Sequence, residues 1–172
     1  MEKKRLIVVS DVDGVLTDGS FYYDETGKCM KKFGRDDADS LKMLRKNLPD
    51  AEVHFCSSDF HGFAITEKRI KDMGYEVDKV SVKDRPQWIE DNFRKDPNNF
   101  VVYIGDSFVD IPVYRKADMS CCVNNGHYLA QTEADYVSEL NGGDGGFADC
   151  ILEVMSKFTN KSKEDLMYEY IS

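Results

Sequence analysis

The amino-acid sequence predicts an α/β fold, in which a Rossmann-like parallel sheet carries helices on both faces to give three layers. Two observations support this class. Residues 6–9 and 100–104 are continuous apolar, β-rich runs that end abruptly in polar residues and glycine, as central strands buried on both faces do. Segments in which apolar residues recur at helical spacing alternate with such runs, and that alternation indicates βαβ units.

The other elements follow from apolar spacing and from turn and capping residues. Short β-rich runs predict further strands over residues 53–56, 77–82, 119–123 and 136–137. Two strand-like runs around a turn that contains Gly27 predict a β-hairpin over about residues 19–34. Helical spacing, the stop signal Gly74 and the start signals Asp84, Pro86 and Ser162 predict helices over residues 36–48, 62–73, 84–94, 111–116 and 147–158, with a last helix from residue 162.

Length and charge limit what kind of protein this is. The 172 residues suit one domain over residues 1–172, and 41% of them are apolar, which is enough for a buried core. The net charge of −9 argues against a nucleic-acid partner, because such binding neutralises phosphates with Lys and Arg. No apolar run approaches the ~20 residues that span a bilayer, and the five cysteines lack the spacing of a disulfide framework. We therefore expect a cytoplasmic protein with no membrane partner.

Chemically active side chains follow four of the predicted strands. In open α/β sheets ligands bind at the carboxyl ends of the strands, so we expect these side chains to meet there. They are Asp11 and Asp13 after the first strand, Ser57 after the second, Lys83 and Arg85 after the third, and Asp106 and Asp110 after the fourth. Mg²⁺ prefers carboxylate oxygens, phosphoryl transfer needs charge neutralisation, and an aspartate can act as a nucleophile. The set therefore predicts magnesium-dependent phosphoryl transfer.

In this order and spacing, the four motifs resemble those of the haloacid dehalogenase superfamily. The resemblance implies that Asp11 is the nucleophile and that Asp13 is the general acid/base, whose backbone carbonyl also binds Mg²⁺. It implies that Ser57 binds the phosphoryl oxygens. It also implies that Asp106 is the third protein ligand of the metal, after Asp11 and Asp13, with Asp110 as a supporting carboxylate behind it.

A closer resemblance covers nearly the whole chain. The run Asp-Val-Asp-Gly-Val-Leu-Thr-Asp-Gly, the Tyr-rich hairpin and the glycine-rich loop 142–146 are similar to the capless sugar-acid phosphatases of that superfamily. Positions 13 and 57 are 57 − 13 = 44 residues apart, and positions 57 and 85 are 85 − 57 = 28 apart, so neither insertion can hold a cap domain.

Fold, assembly and substrate follow from that closer resemblance. It implies a sheet of the haloacid dehalogenase type with a β-hairpin flap and no cap domain. It implies a homotetramer in which a C-terminal helical tail, about residues 147–172, helps close a neighbour's site. The implied substrate is a small phosphorylated sugar acid, either 3-deoxy-octulosonate 8-phosphate or a nonulosonate 9-phosphate.

The motif cation is one departure from the pattern. The family usually has lysine there, whereas the register expected from Gly74 places Arg85 at this position and Lys83 two residues earlier. Arginine always carries its charge and binds phosphate in a fork, so either residue can serve as the catalytic cation.

The segments that would contact the sugar also depart from the pattern. The second motif, usually Thr-Gly-Arg, here reads Ser-Ser-Asp over residues 57–59, which loses a cation and adds an acid. The segment after the hairpin, usually Arg-Asp-Gly, here reads Arg-Asp-Asp over residues 35–37. The resemblance implies that Arg35, Asp36, Ser58 and Gly14 bind the substrate, while the identity of the sugar stays open.

Simpler roles are the alternative for several of these residues. Asp110 can instead cap the short helix that follows it, Lys83 can be a solvated charge, and Arg35 can form an exposed ion pair with Asp36. The loop 142–146 is either an ordinary loop or a backbone that approaches a phosphate or sugar closely. For the whole chain, the alternative is a weak or inactive family member that binds a phosphosugar or acts as an oligomeric partner, which the altered segment 57–59 motivates.

Overall fold

The computed structural model describes residues 4–172. Within this range the strands are β1 (Arg5–Asp11), β2 (Tyr22–Asp24), β3 (Gly27–Met30), β4 (Glu52–Ser57), β5 (Val77–Lys79), β6 (Asn99–Gly105), β7 (Met119–Cys122) and β8 (Tyr136–Val137). The α-helices are α1 (Asp37–Asn47), α2 (Phe63–Asp72), α3 (Arg85–Ile89), α4 (Ile111–Tyr114), α5 (Tyr128–Glu133), α6 (Gly146–Thr159) and α7 (Lys163–Ile171). A π-helical turn, Glu90–Arg94, extends α3, and a 3₁₀ turn, Phe108–Asp110, precedes α4.

The main sheet of the described chain is parallel and has the strand order β5-β4-β1-β6-β7-β8. Strand β1 is central, with β4 on one side and β6 on the other. The carboxyl ends of these three strands therefore lie side by side, which is where open parallel sheets bind their ligands. The predicted α/β, Rossmann-like fold class is confirmed.

Alternation along β1 explains why the sheet has a layer on each face. Leu6 and Val8 pack in one apolar core with side chains of α1 and α6, whereas Ile7 and Val9 pack in a second core with side chains of α3 and α4. Each such aliphatic side chain contributes about 1.5–3 kcal/mol when it is fully buried. Burial on both faces thus fixes β1, and with it the position of the acidic residues at its carboxyl end.

Between β1 and β4 the chain forms only the hairpin β2–β3 and helix α1. A bridge between Thr17 and Phe33 closes the base of the hairpin, and a backbone hydrogen bond from Asp18 to Lys32 supports it. No cap domain lies in this interval, nor in the interval between Ser57 and Arg85, where the structure has only α2 and β5. The predicted flap without a cap is therefore present in the described residues.

Some element boundaries differ from the prediction. Strand β5 ends at Lys79 rather than at residue 82, because Val82 is exposed and cannot contribute to the sheet core. Asp84 does occupy the N-cap position of α3, but its carboxylate accepts from the hydroxyl of Ser81 instead of capping the helix. Helix α5 was not predicted at all. Among residues 4–172, no helix is both long and apolar enough to cross a membrane.

Candidate active site

Three neighbouring strands deliver acidic and hydroxyl side chains to one edge of the sheet. Asp11 is the last residue of β1, Ser57 is the last of β4, and Asp106 directly follows β6. The strand register pairs Asp11 with residue 56 of β4 and residue 10 with residue 104 of β6, so the ends are level. The structure therefore brings together the predicted residues from these three strands.

The guanidinium group of Arg85 contacts the carboxylate of Asp11. Its Nη1 is 3.1 Å from Oδ2 of Asp11 and 2.9 Å from Oδ1 of Asp110, and it also donates to the hydroxyl of Tyr103 at 2.8 Å. The Arg85 side chain is 1% exposed, so these ion pairs are shielded from solvent. Nε and Nη2 of Arg85 are buried and have no partner among the described residues.

The two candidate cations differ in position. Arg85 is the first residue of α3 and contacts Asp11, whereas Lys83 is exposed in the preceding turn and makes no ion pair with a described residue. Helix α3 begins after Asp84, so the two side chains point to different surroundings. The structure thus places Arg85, not Lys83, beside the predicted nucleophile.

Two of the three predicted metal ligands, Asp11 and Asp106, form a compact acidic group with Asp110, the predicted supporting carboxylate. One carboxylate oxygen each from Asp11, Asp106 and Asp110 lies within 4.8 Å of the other two. Burial, together with the carboxylates of Asp110 and Asp13, raises the pKa of Asp11 to about 7 despite the opposing effect of Arg85. Burial raises the pKa of Asp106 to about 8, and Asp11 and Asp110 add to that increase. Hard oxygen donors with surplus negative charge fit a divalent cation such as Mg²⁺.

Within that group, Asp110 already has partners for both oxygens. Oδ1 accepts from Arg85 and from the hydroxyl of Tyr103, at 2.9 and 2.8 Å. Oδ2 accepts from the backbone N–H groups of Asp106 and Ser107, at 3.1 and 3.0 Å. Asp110 therefore orients Arg85 and the loop that carries Asp106. Its contact with the backbone of Ser107 is part of a capping box for the 3₁₀ turn that Asp110 ends. It occupies the N-cap position of α4, but its side chain makes no capping hydrogen bond to that helix, so the expected cap of the following helix is not present.

Gly14 makes room for Asp106. Its backbone has φ of +92°, and a Cβ at this position would lie 2.1 Å from Oδ2 of Asp106. A side chain here would both strain the backbone and displace the predicted metal ligand. Gly14 was predicted to bind substrate, and what the structure shows directly is this close packing against Asp106.

Asp13 is held by a donor on each carboxylate oxygen. The hydroxyl of Ser57 donates to Oδ2 at 2.7 Å, and Nζ of Lys31 lies 2.5 Å from Oδ1. Ser57 was predicted to contact the phosphoryl group, and in the structure its hydroxyl contacts the predicted acid/base. The carboxyl group of Asp13 stays partly exposed, at 28%, so it is accessible from the mouth of the site.

A lysine cluster next to Asp13 was not predicted. Lys31, just beyond β3, also contacts Oδ2 of Asp59 at 2.8 Å and Oγ1 of Thr66 at 2.7 Å, and Lys28 contacts the same oxygen of Asp59 at 2.6 Å. These contacts, with burial opposing them, hold the pKa of Asp59 well below its usual range. The acid that the altered second motif adds is therefore neutralised by two cations from the hairpin.

The predicted substrate-binding residues Arg35, Asp36 and Ser58 have fewer contacts than the residues around Asp11. Arg35 and Asp36 approach each other to 3.5 Å with side chains that are 93% and 62% exposed, so their ion pair has little energetic weight. Both border a hollow of about 350 Å³ that the glycine-rich loop also lines. Ser58 is half-buried beside the cluster of Asp59. In the structure none of the three contacts Asp11.

The glycine-rich loop packs against the loop that follows β1. A Cβ on Gly142 would lie 1.9 Å from the carbonyl oxygen of Gly14, and one on Gly143 would lie 2.5 Å from the backbone nitrogen of Asp18. The backbone N–H of Gly143 donates to the carbonyl of Val15 at 3.3 Å. These glycines thus permit close approach, and the group they approach is the backbone of residues 14–18.

Comparison with known proteins agrees with this fold. A family model described as haloacid dehalogenase-like hydrolase matches residues 20–151. The 3-deoxy-D-manno-octulosonate 8-phosphate phosphatase of Haemophilus influenzae is 30% identical over 155 residues, which cover 87% of this chain and 84% of the relative. The chain therefore belongs to the haloacid dehalogenase-like hydrolase family.

Solved structures give the same result. The cobalt-bound deoxy-D-mannose-octulosonate 8-phosphate phosphatase of H. influenzae matches with a TM-score of 0.75 and 28% identity, over 93% of this chain and 92% of that one. The Moraxella catarrhalis phosphatase, solved with magnesium, phosphate and the sugar acid KDO, matches with a TM-score of 0.76 over 96% and 94% of the two chains. At 21% identity, this second likeness is one of fold. The family model, the sequence relatives and the H. influenzae structure together define the chain as a phosphoric monoester hydrolase.

Proposed function

We propose that this protein is a Mg²⁺-dependent phosphatase that removes phosphate from a phosphorylated sugar acid through an aspartyl-phosphate on Asp11. The observation that carries the proposal is the arrangement of two carboxyl groups at the end of β1. Asp11 is paired with the buried cation Arg85, and Asp13, two residues on, is partly exposed and held by Ser57 and Lys31. This arrangement suits one group for attack and the other for proton transfer.

The first step breaks the ester bond of the substrate. A carboxylate oxygen of Asp11 attacks phosphorus, and the bond from phosphorus to the leaving oxygen breaks as Asp13 gives that oxygen a proton. Arg85 holds Asp11 in place and offsets charge at the nucleophile. Mg²⁺, when bound by the carboxylates of Asp11 and Asp106 and the carbonyl of Asp13, would neutralise charge on the phosphoryl oxygens.

The second step releases phosphate. Asp13, now without its proton, takes a proton from water, and the resulting hydroxide attacks the phosphorus of the aspartyl-phosphate. The bond to Asp11 breaks, and the Asp11 carboxylate and inorganic phosphate are formed. Asp13 is protonated again at the end of the cycle, so both residues return to their starting protonation states.

The substrate class rests on the relatives. The H. influenzae relative is an octulosonate 8-phosphate phosphatase, and the site of this chain has no cap domain within residues 4–172 to enclose a small substrate. An open site fits an extended sugar acid with a terminal phosphate. We propose 3-deoxy-D-manno-octulosonate 8-phosphate or a nonulosonate 9-phosphate, with contacts from the hollow beside Arg35 and Asp36.

We also propose that residues 1–172 act as one phosphatase domain that assembles as a homotetramer. The hairpin presents Phe21, Tyr23 and Met30 with 72%, 63% and 60% of their surface exposed. Three large apolar side chains on one exposed hairpin favour an interface between copies. Sedimentation of the purified protein tests this, and a monomer at micromolar concentration would argue against it.

A substrate panel tests the proposed reaction. Phosphate release is measured with the two sugar-acid phosphates, hexose phosphates and 4-nitrophenyl phosphate, with Mg²⁺ and with EDTA. We expect the highest kcat/KM for one of the sugar-acid phosphates and no turnover in EDTA. Asp11→Asn should abolish turnover while Asp72→Asn, an exposed change on α2 outside the hollow, leaves it intact. Retained activity in Asp11→Asn would exclude the aspartyl-phosphate, and an inactive wild-type protein would favour the binding-only alternative.

A further inference from the structure

Lys31 follows a surface hairpin, yet its ammonium group makes several hydrogen bonds within the candidate active site. Its Nζ lies within hydrogen-bond distance of Asp13, Asp59 and Thr66, at 2.5, 2.8 and 2.7 Å. An ammonium group has three donors, so these three acceptors use all of them. The side chain is 3% exposed. Burial of a lysine is costly, and complete pairing of this kind fixes the group in one position.

The contact with Asp13 complements the one from Ser57. Ser57 donates to Oδ2 of Asp13 from the sheet, and Lys31 donates to Oδ1 from the hairpin. Because each carboxyl oxygen has two lone pairs, one lone pair on each stays free for the transferred proton. With a donor on either side, the Asp13 carboxyl cannot rotate without breaking a hydrogen bond.

Asp59 completes the arrangement. It contacts both Lys31 and Lys28, so Lys31 forms ion pairs with two carboxylates, those of Asp13 and Asp59. The backbone N–H of Asp59 also donates to the hydroxyl of Ser57 at 3.1 Å. The segment 57–59 and the hairpin thus form one connected hydrogen-bond network around Asp13.

We propose that Lys31 is a positioning residue for the general acid, which holds the Asp13 carboxyl toward the leaving oxygen of the substrate. The inference rests on the proposed function of Asp13. Lys31 acts through Asp13. The hairpin would thereby contribute to breaking the bond between phosphorus and the leaving oxygen. Lys28 contacts Asp59 but not Asp13, so it anchors the network without orienting the acid.

Two substrates with different leaving groups separate positioning of the acid from a structural role. A sugar-acid phosphate leaves as an alkoxide and needs the proton from Asp13, whereas 4-nitrophenyl phosphate leaves as a stable phenolate and needs little help. General acid catalysis contributes about 10²–10⁴-fold, so a misplaced acid should cost about 10–100-fold in kcat/KM for the sugar-acid phosphate. For the aryl phosphate, the same change should cost less than about threefold.

The experiment compares Lys31→Gln with Lys28→Gln, using the better sugar-acid phosphate of the panel and 4-nitrophenyl phosphate. The measured quantity is the ratio of the two kcat/KM values, in which the concentration of folded enzyme cancels. We expect the ratio to fall at least about tenfold in Lys31→Gln and to stay at the wild-type value in Lys28→Gln. Lys31→Arg, which keeps a charged donor, should restore part of the ratio and serves as the second variant if Lys31→Gln folds poorly.

Other results would overturn the inference. An equal loss on both substrates, or no loss, in Lys31→Gln would show that Lys31 only supports the fold, as would the same fall of the ratio in Lys28→Gln. Failure of the proposed function is a separate result, because it would appear as a wild-type protein without Mg²⁺-dependent turnover of either substrate.

Discussion

Asp110 and Arg85 form an ion pair that is closed to solvent, with 2.9 Å between Oδ1 and Nη1 and side chains that are 0% and 1% exposed. The same guanidinium nitrogen contacts Asp11 at the end of β1. Asp110 also accepts from the backbone of Asp106. One buried carboxylate therefore fixes both the cation below the predicted nucleophile and the loop that carries the predicted metal ligand.

Asp110→Asn should destabilise the protein and impair turnover together. An asparagine NH₂ in place of one oxygen would face donors, and Arg85 would lose a charge partner in a buried site. Breaking a buried pair costs about 3–5 kcal/mol, so we expect a fall of that order in the free energy of unfolding, measured in urea without Mg²⁺. Asp144→Asn, at an exposed pair with Lys32, should change it by less than ~1 kcal/mol. An unchanged free energy of unfolding in Asp110→Asn would show that the ion pair between Asp110 and Arg85 does not stabilise the fold.

Gly14→Ala should weaken metal binding beyond its effect on the backbone. Gly14 and Gly74 have similar φ angles, +92° and +86°, but only at Gly14 would a Cβ meet another residue, Asp106. Both substitutions should destabilise the fold by about 1–2 kcal/mol through left-handed strain. Only Gly14→Ala should raise the Kd for Mg²⁺, by about tenfold or more, in a calorimetric titration. Equal Mg²⁺ affinities in the two variants would contradict this role of Gly14.

Magnesium should stabilise the folded protein through Asp106. A ligand at 100 times its Kd adds about 2.7 kcal/mol to the free energy of unfolding if only the folded state binds it. We expect Mg²⁺ to raise the thermal unfolding midpoint of the wild-type protein and of Asp144→Asn. Asp106→Asn should show little or no increase at the same Mg²⁺ concentration. A full increase in Asp106→Asn would place the metal elsewhere.

Asp37 should make stability fall as pH rises. Burial raises its pKa to about 7, with Arg69 opposing the increase, and its Oδ2 has no partner in the described chain. Because the folded-state pKa lies above the ordinary aspartate value of 3.8, the folded protein binds more protons than the unfolded chain between about pH 4 and pH 7. The contribution of Asp37 to stability is therefore lost as pH rises through that window.

Asp37→Asn removes this pH-dependent cost. At pH 8 the variant should be more stable than the wild type by about 2–4 kcal/mol in urea unfolding, and the difference should shrink toward pH 4. The exposed residue Asp39 lies on the same helix, and Asp39→Asn gives the matched control. A stability difference that does not vary with pH would show that Asp37 titrates normally in the folded protein.

Most of the fold was predictable because the sheet is buried on both faces. Continuous apolar runs such as that of β1 have few other interpretations, and the acids at their ends mark the site. Helix α5 has no comparable signal, since Ala130 is its one buried residue and the helix is only six residues long. Strand β5 was predicted too long because Val82 is apolar in sequence but exposed in the structure.

The site was less predictable where it depends on distant pairing. Lys28 and Lys31 lie three positions apart, which in a regular strand would place them on opposite faces. Strand β3 ends at Met30, however, so Lys31 is free to turn toward Asp59 with Lys28. The extra acid at Asp59 was the available signal, because a buried carboxylate requires a cation. The sequence does not show which of Arg85 and Lys83 lies beside Asp11. In the structure α3 begins at Arg85, and this residue contacts Asp11.

The contact between the loops 142–146 and 14–18 has a consequence for mutational tolerance. These loops lie far apart in the chain and meet through backbone atoms, with no side chain between them to absorb a change. A saturation scan scored for activity should therefore mark Gly142 and Gly143 as intolerant even to alanine. The same scan scored for abundance should penalise them less, since the apolar cores on either side of β1 are untouched. On a map of lost function, two glycines that have no reactive group would then look like part of the catalytic machinery.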